Sequence, residues 1–493
     1  MVYIGFALGF LNTYLFTKEG GFSQEEYGLV GIFVAISSLM FAVANLGMPS
    51  YIGKFFPYYK SNLQQQHNDM LTWALSVAVI GFLLVLAGGI YFKDLIIIKF
   101  GKNSPLLVKY YYWIFPLGFG LTVFGILEAF AWQLRRAVIT NYLREIQFRL
   151  FTTILILLSF AALINSFDVF IKIYSLTYIA TALILLLYLL SKNEINFTFK
   201  VSIVTRKYFK KILSLISFVF GGTLIYGISL IFDSLVIASV LPGGLADVAV
   251  FSLGQYMASI IQAPQRGIIA SSIGPLSQAW KDKDMGKISK IYKQSSINQL
   301  IFAAGMFALI WLNFTDGILT FNLQKGYLDA KWVFFFVGMY RILDMGTGVN
   351  AQIIATSTLW RFEFYTGTIL LALTLPLTYF FTKSSLGILG PPIATLIAFF
   401  VYNSIRYWLL LKRYRLQPFT IKTAYTILLA TVVYLICWLL FSHKQGFGSM
   451  ILRSTTFITL YVYGIVALNL SSDIKPVWQT LLKKTGIKKE ANK

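Results

Sequence analysis

The sequence is poor in the side chains that soluble enzymes use for polar chemistry. It has one cysteine, Cys437, inside an apolar run, so neither a disulfide framework nor a thiolate metal site is available. Its two histidines, His67 and His443, stand far apart in polar stretches, without metal-ligand company. Acidic residues number only 19 in 493, no GxxxxGK[ST] phosphate loop occurs, and no Ser/His/Asp grouping can be assembled. Long hydrophilic stretches are missing too. The connector 192–211 leaves no room for a soluble catalytic domain, and a membrane-embedded glycosyltransferase would need clustered carboxylates or a large external loop. No catalytic residue, metal or cofactor is therefore assigned, and an ATP-driven pump is excluded unless a partner supplies the ATPase.

What is present is apolar surface. The chain is 57% hydrophobic and 12% charged, with a mean hydropathy of +0.71. Nearly uncharged runs of bilayer-crossing length recur from end to end, and the alternation of a membrane β-barrel is absent. The fold class expected is an all-α polytopic membrane protein with about 14 spans. They fall near 2–16, 29–49, 70–92, 111–134, 150–165 and 169–190, then in two runs between Ile212 and Trp280. The rest lie near 297–321, 332–355, 364–382, 386–408, 423–441 and 450–470. Span 1 is short and has no positive flank or signal-cleavage pattern, so we expect residues ahead of Met1 in the natural protein.

The net charge of +23 is spread over connectors rather than gathered on one domain, which points to topology and anionic lipids and away from nucleic acid. Of the 42 lysines and arginines, 29 fall on the side holding both termini and 11 on the other. That excess makes the first side cytoplasmic. The stretch Lys93–Lys109, with four lysines outside, runs against the rule. The Tyr- and Phe-rich edges, Phe55, Phe56, Tyr58, Tyr59 and Tyr110–Trp113, are read as interfacial belts.

A faint repeat relates the stretch from Glu25 to the stretch from Leu245: an acidic turn, an apolar span, a small-residue break, a proline and a basic connector. It implies two parallel six-helix lobes. We expect a first lobe at 1–205, a second at 206–415, an appended helix pair at 416–471 and a basic cytoplasmic tail at 472–493. The appended pair is read as free of internal charge, with Arg453 counted in the connector before the last span.

Charges inside the spans carry the functional reading, because an ionisable group in hydrocarbon faces a bundle interior or a watery cavity. Arg266 and Arg341 are candidate anion ligands, arginine being suited to bidentate phosphate contact. Lys54, at the cytoplasmic end of span 2, is a candidate anion guide or a topology residue. Asp233, Asp344 and Glu128 are candidates for ion coupling or for structural pairing with the arginines. Arg341 and Asp344, three apart on one helix face, could satisfy each other. Glu128, near a helix end, is expected to snorkel.

The N-terminal stretch carries a resemblance. Gly5-Phe6, Gly9-Phe10, the turn Glu26-Tyr27-Gly28, and Leu46-Gly47 followed by Lys54-Phe55-Phe56-Pro57 resemble polysaccharide transporters of the multidrug/oligosaccharidyl-lipid/polysaccharide superfamily, the O-antigen-type flippases above all. The resemblance implies a V-shaped pair of lobes with alternating access. The implied cargo is an undecaprenyl-pyrophosphate-linked oligosaccharide, moved across a bacterial inner membrane and driven by an ion gradient (H+ or Na+). A polysaccharide polymerase and other biosynthesis proteins are the implied partners. Cavity cations of the family carry over, as an expectation, to Lys54, Arg266 and Arg341. A multidrug antiporter of the same superfamily would need an acidic cavity, and a non-transport subunit of a polysaccharide biosynthesis complex would not need buried charges.

Overall fold

A computed structural model describes residues 2–359, 361–441 and 445–473. His443 and the tail beyond Asp473 lie outside the described residues. Every regular element described is a helix. The chain divides into two compact units, Met1–Val250 and Phe251–Lys493.

In the first unit, α1 (Val2–Thr17), α2 (Gln24–Ala44), α3 (Met48–Asn62) and α4 (Met70–Tyr91) are followed by two short helices, α5 (Lys93–Phe100) and α6 (Pro105–Lys109). The stretch of lysines that breaks the charge rule is thus helical. Helix α7 (Ile114–Gln133) is the centre of the unit: it packs against α2, α3, α4 and α11 (Thr177–Ser191). Between them come α8 (Ala137–Tyr142), a π-turn at Leu143–Gln147, α9 (Phe148–Phe160) and α10 (Phe167–Ser175). The long α12 (Ile203–Val240) packs on α2 and α3, and so belongs by contact to this unit rather than opening the next. Helix α13 (Gly244–Ser259) begins in the first unit and ends in the second.

The quoted N-terminal residues have structural work to do. Ser23 and Glu26 form a reciprocal capping box on α2, with Glu26 N–H donating to Ser23 Oγ at 3.2 Å and Ser23 N–H to Glu26 Oε2 at 2.8 Å. At Gly28 a Cβ would run into the backbone carbonyl of Leu245, so only glycine lets α2 approach that closely. Gly47 turns the chain from α2 into α3 with φ +77, a left-handed conformation. The following YIGKFFPYYKSN, expected as a connector, is therefore helix. Its Phe55, Phe56 and Tyr59 are buried against α4, α7 and α12 rather than standing in an interfacial belt, and only Tyr58 is exposed. Tyr110 and Tyr111 are likewise buried.

The second unit holds α14 (Gln265–Lys281), α15 (Met285–Thr320), α16 (Ala330–Gly346), α17 (Asn350–Thr356), α18 (Arg361–Lys383) and α19 (Gly390–Tyr414). Helices α20 (Ile421–Phe441) and α21 (Phe447–Ala467) pack on each other and on α15. The run expected as one span up to Trp280 is broken at 260–264, where a 3-10 turn and Pro264 separate α13 from α14. Among the described residues, ten helical segments are both long and apolar enough to cross a membrane. The expected spans fall on helix among the described residues, while the number fourteen is not established.

Candidate functional site

The second unit contains a chain of buried and half-buried polar side chains that crosses five helices. It starts at Gln265, the first residue of α14, whose Nε2 donates to Asp344 Oδ2 on α16 at 2.9 Å. Asn403 on α19 donates from Nδ2 to Asp344 Oδ1 at 3.4 Å, and its own Oδ1 accepts from Thr347 Oγ1 at 2.9 Å and Asn350 Nδ2 at 2.8 Å. Asn350 Oδ1 in turn accepts from Arg406 at 3.5 Å. Arg406 also donates from Nε to Thr366 Oγ1 at 3.2 Å, pairs with Glu363 on α18, and stacks over the Tyr402 ring at 3.7 Å. Arg406 is 1% exposed. In hydrocarbon an unmade hydrogen bond costs several kcal/mol, so such groups must come as a connected set.

This set decides the partners of Asp344. Both of its carboxylate oxygens are taken by amides, and Arg341 makes no ion pair with it, although the two share a helix face. The alternative in which Arg341 and Asp344 satisfy each other is not what these contacts show: Gln265 and Asn403 hold the carboxylate. Arg341 is half-buried, lies over the Tyr340 ring at 4.7 Å, and keeps its buried Nε without a hydrogen-bond partner. Arg266, exposed at the second position of α14, makes no hydrogen bond or ion pair among the described residues of its unit. The Gln265–Asp344 bond ties the start of α14 to the last turn of α16, so Arg266 stands one residue from that anchor and Arg341 one turn before it.

Asp316, like Asp344 and Glu363, has a donor of its own. Arg453 on α21, counted above as a connector residue, is 6% exposed and pairs with Asp316 on α15 at 2.5 Å while donating from Nε to Asn313 at 3.0 Å. The appended pair is therefore charged inside after all, and held to α15 by that bridge. Arg406, within the span expected near 386–408, is a buried cation that sequence reasoning did not single out. One signal was legible: Asn403 and Arg406 repeat at helical spacing inside an otherwise apolar run.

In the first unit Lys54 is exposed on α3, two residues from buried neighbours on either side, and makes no hydrogen bond or ion pair among the described residues. Asp233 is half-buried on α12. Glu128 does not snorkel: it is 5% exposed and pairs with Arg144 at 3.0 Å. Arg144 is carried by the π-turn, in the stretch 134–150 expected as a basic connector. Arg149, one turn on, pairs with Glu145 at 3.2 Å and donates to the Gly5 carbonyl on α1. Pairing is the reason this charged stretch can be helical beside α7 and α1.

No family model and no curated protein sequence matches the chain. Solved structures do. The lipid II flippase MurJ, in an inward closed conformation, matches with a TM-score of 0.69 at 16% identity, over 94% of this chain and 97% of that one. The chain thus shares its fold with that flippase. An inward-facing multidrug resistance MATE family transporter of the MOP superfamily matches with a TM-score of 0.64 at 15% identity, over 82% of this chain and 93% of that one. The expected MATE-like all-α membrane fold is thereby established, and the neighbours are transporters rather than enzymes.

Proposed function

We propose that the protein is a flippase that carries a polyprenyl-pyrophosphate-linked oligosaccharide, an O-antigen or other surface-polysaccharide repeat unit, across the bacterial inner membrane by alternating access between lobes of six spans each. The observation that carries this reading is the charge imbalance of the second unit. Asp344, Glu363 and Asp316 each have donors of their own, while Arg266 and Arg341 keep their positive charge for something else. Two guanidinium groups near one anchor suit a pyrophosphate, which can accept paired N–H donors from each. Lys54, solvated on α3, is the third cation in this reading and guides the anion in. Of the acids, Asp344 is the one we assign to ion coupling, Asp233 being the alternative. Glu128 is assigned to structural pairing with Arg144. That a lipid II flippase has the same fold supports a lipid-linked cargo.

The same fold also serves multidrug transporters, which is the second reading. Deletion separates the two. We expect loss of a surface glycan, accumulation of its lipid-linked precursor inside, and unchanged resistance to cationic dyes. Normal surface glycan together with increased dye sensitivity would reverse the assignment.

A further inference from the structure

The linker between α11 and α12 is not used by the reading above, yet it is firmly placed. Gln65 donates to the Asn193 carbonyl, Asn196 Nδ2 to the Gln66 carbonyl at 2.8 Å, and Thr198 N–H to Thr72 Oγ1 at 3.1 Å. At its end Asp69, fully buried, accepts from Ser202 N–H at 2.9 Å and from Thr205 Oγ1 at 2.8 Å. The linker is thereby strapped along the start of α4. Between the two runs a groove of about 410 Å³, lined by Leu75, Ser76, Val79, Ile80, Phe197 and Phe199. Phe199 is 72% exposed at its edge.

Directly after Phe199 the chain carries a run of exposed cations into the start of α12: Lys200, Arg206, Lys207, Lys210 and Lys211. No acidic residue occurs between Ile195 and Leu213. The two acids nearest in sequence or space are spent, Glu194 on Arg136 at 2.5 Å and Asp69 on the start of α12. An apolar groove whose linker wall runs on into uncompensated cations has the two-part chemistry of one ligand class: an acyl chain joined to an anionic headgroup.

We propose that this groove and the run of cations form a binding site for an anionic phospholipid, with one acyl chain between α4 and the linker and the headgroup phosphate on the cations at the start of α12. The site anchors the linker to the membrane surface on the basic, cytoplasm-facing side. It is separate from the arginines of the second unit, and it stands whether the cargo is a glycolipid or a drug.

The test uses the full-length protein with Cys437→Ser and Ile80→Cys, labelled at the groove rim with an environment-sensitive fluorophore. It is reconstituted in phosphatidylcholine vesicles doped with acyl-brominated phosphatidylglycerol or, at equal fraction, acyl-brominated phosphatidylcholine. Bromine quenches only on contact. Quenching by the anionic lipid should exceed that by the neutral one at least about fivefold, the worth of a single basic residue at an anionic surface. High salt should shrink that ratio without any change of sequence. Neutralising the run (K200Q, R206Q, K207Q, K210Q, K211Q) should bring it near one, and Ser76→Trp, which fills the groove, should lower quenching by the anionic lipid. Equal quenching by the two lipids in the parent protein overturns the proposal, as does a preference that survives both salt and neutralisation.

Discussion

The pair Glu363–Arg406 offers a test of how the second unit tolerates its buried charge, because its two members are buried to very different degrees. The side chain of Arg406 is 1% exposed and that of Glu363 is 37% exposed. Replacing Glu363 by Met leaves a guanidinium that has Thr366 and Asn350 but no counter-charge and no access to water. Breaking a buried pair in this way costs about 3–5 kcal/mol. Replacing Arg406 by Met strands a carboxylate that can rehydrate through the exposed third of its surface, at the first turn of α18. After discounting for solvent screening, that change costs about 1–2 kcal/mol, mostly for the acceptors left on Asn350 and Thr366. For a cooperative unit of roughly 150–250 residues, 1 kcal/mol moves the melting temperature by about 2–4 °C. Glu363→Met should therefore lower the apparent melting temperature of the detergent-solubilised protein by roughly 6–20 °C and Arg406→Met by roughly 2–8 °C. The double variant should lie above Glu363→Met. The readout is thermal unfolding followed by fluorescence-detected size exclusion. If Arg406→Met is the more damaging single change, or if the double variant falls below both, the assignment of Arg406 as the member that depends on its partner is wrong.

Three further outcomes are expected. Arg266→Ala and Arg341→Gln should each abolish surface glycan at unchanged membrane abundance, while Arg266→Lys keeps part of it, a point charge retaining some of a fork's attraction for phosphate; full export by both neutral variants would remove them from the binding site. Gly28→Ala should cost about 1–3 kcal/mol, because its Cβ meets a backbone carbonyl that cannot yield, whereas Gly88→Ala, with no atom within 4 Å of the added Cβ, should be neutral or slightly stabilising; melting temperatures compare the two. Single cysteines in 192–211 and 281–296, in a Cys437→Ser background, should resist an impermeant thiol reagent on intact cells, and one in 242–247 should react; the reverse pattern inverts the topology.

Most of the helices were legible because the signal that specifies them is coarse. A bilayer span needs only length and apolarity, and both are written locally. Legibility failed where tertiary pairing overrides local polarity. The stretch 134–150 reads as a connector because it holds four arginines and a glutamate. Glu194 on a distant linker, Glu128 on α7, Glu145 one turn away and the Gly5 carbonyl on α1 take up those charges, and much of the stretch becomes helix. Helix α3 failed for a related reason. YIGKFFPYYK has the composition of an interfacial belt, but Tyr51 donates to Tyr59 at 2.7 Å, and Tyr59 shares a 2.6 Å hydrogen bond with Thr205 of α12, so the tyrosines are satisfied inside the unit instead of at a water boundary.

In the candidate site the sequence marks charges inside spans but not the partners they take, and the asymmetry has a physical cause. An intramembrane charge is visible in any hydropathy reading, but its partner is chosen by three-dimensional proximity, and neutral amides compete for that place. Asp344 has an arginine three residues away, yet its oxygens are taken by Gln265 and Asn403, 79 and 59 residues distant in sequence. The amides are the cheaper partners in hydrocarbon. Side-chain amides carry no charge to desolvate, whereas a second ion would add several kcal/mol of dehydration before any attraction is counted. Once amides hold the carboxylate, an arginine on the same face keeps its charge available, and that is the ground on which we propose Arg341 as an anion ligand.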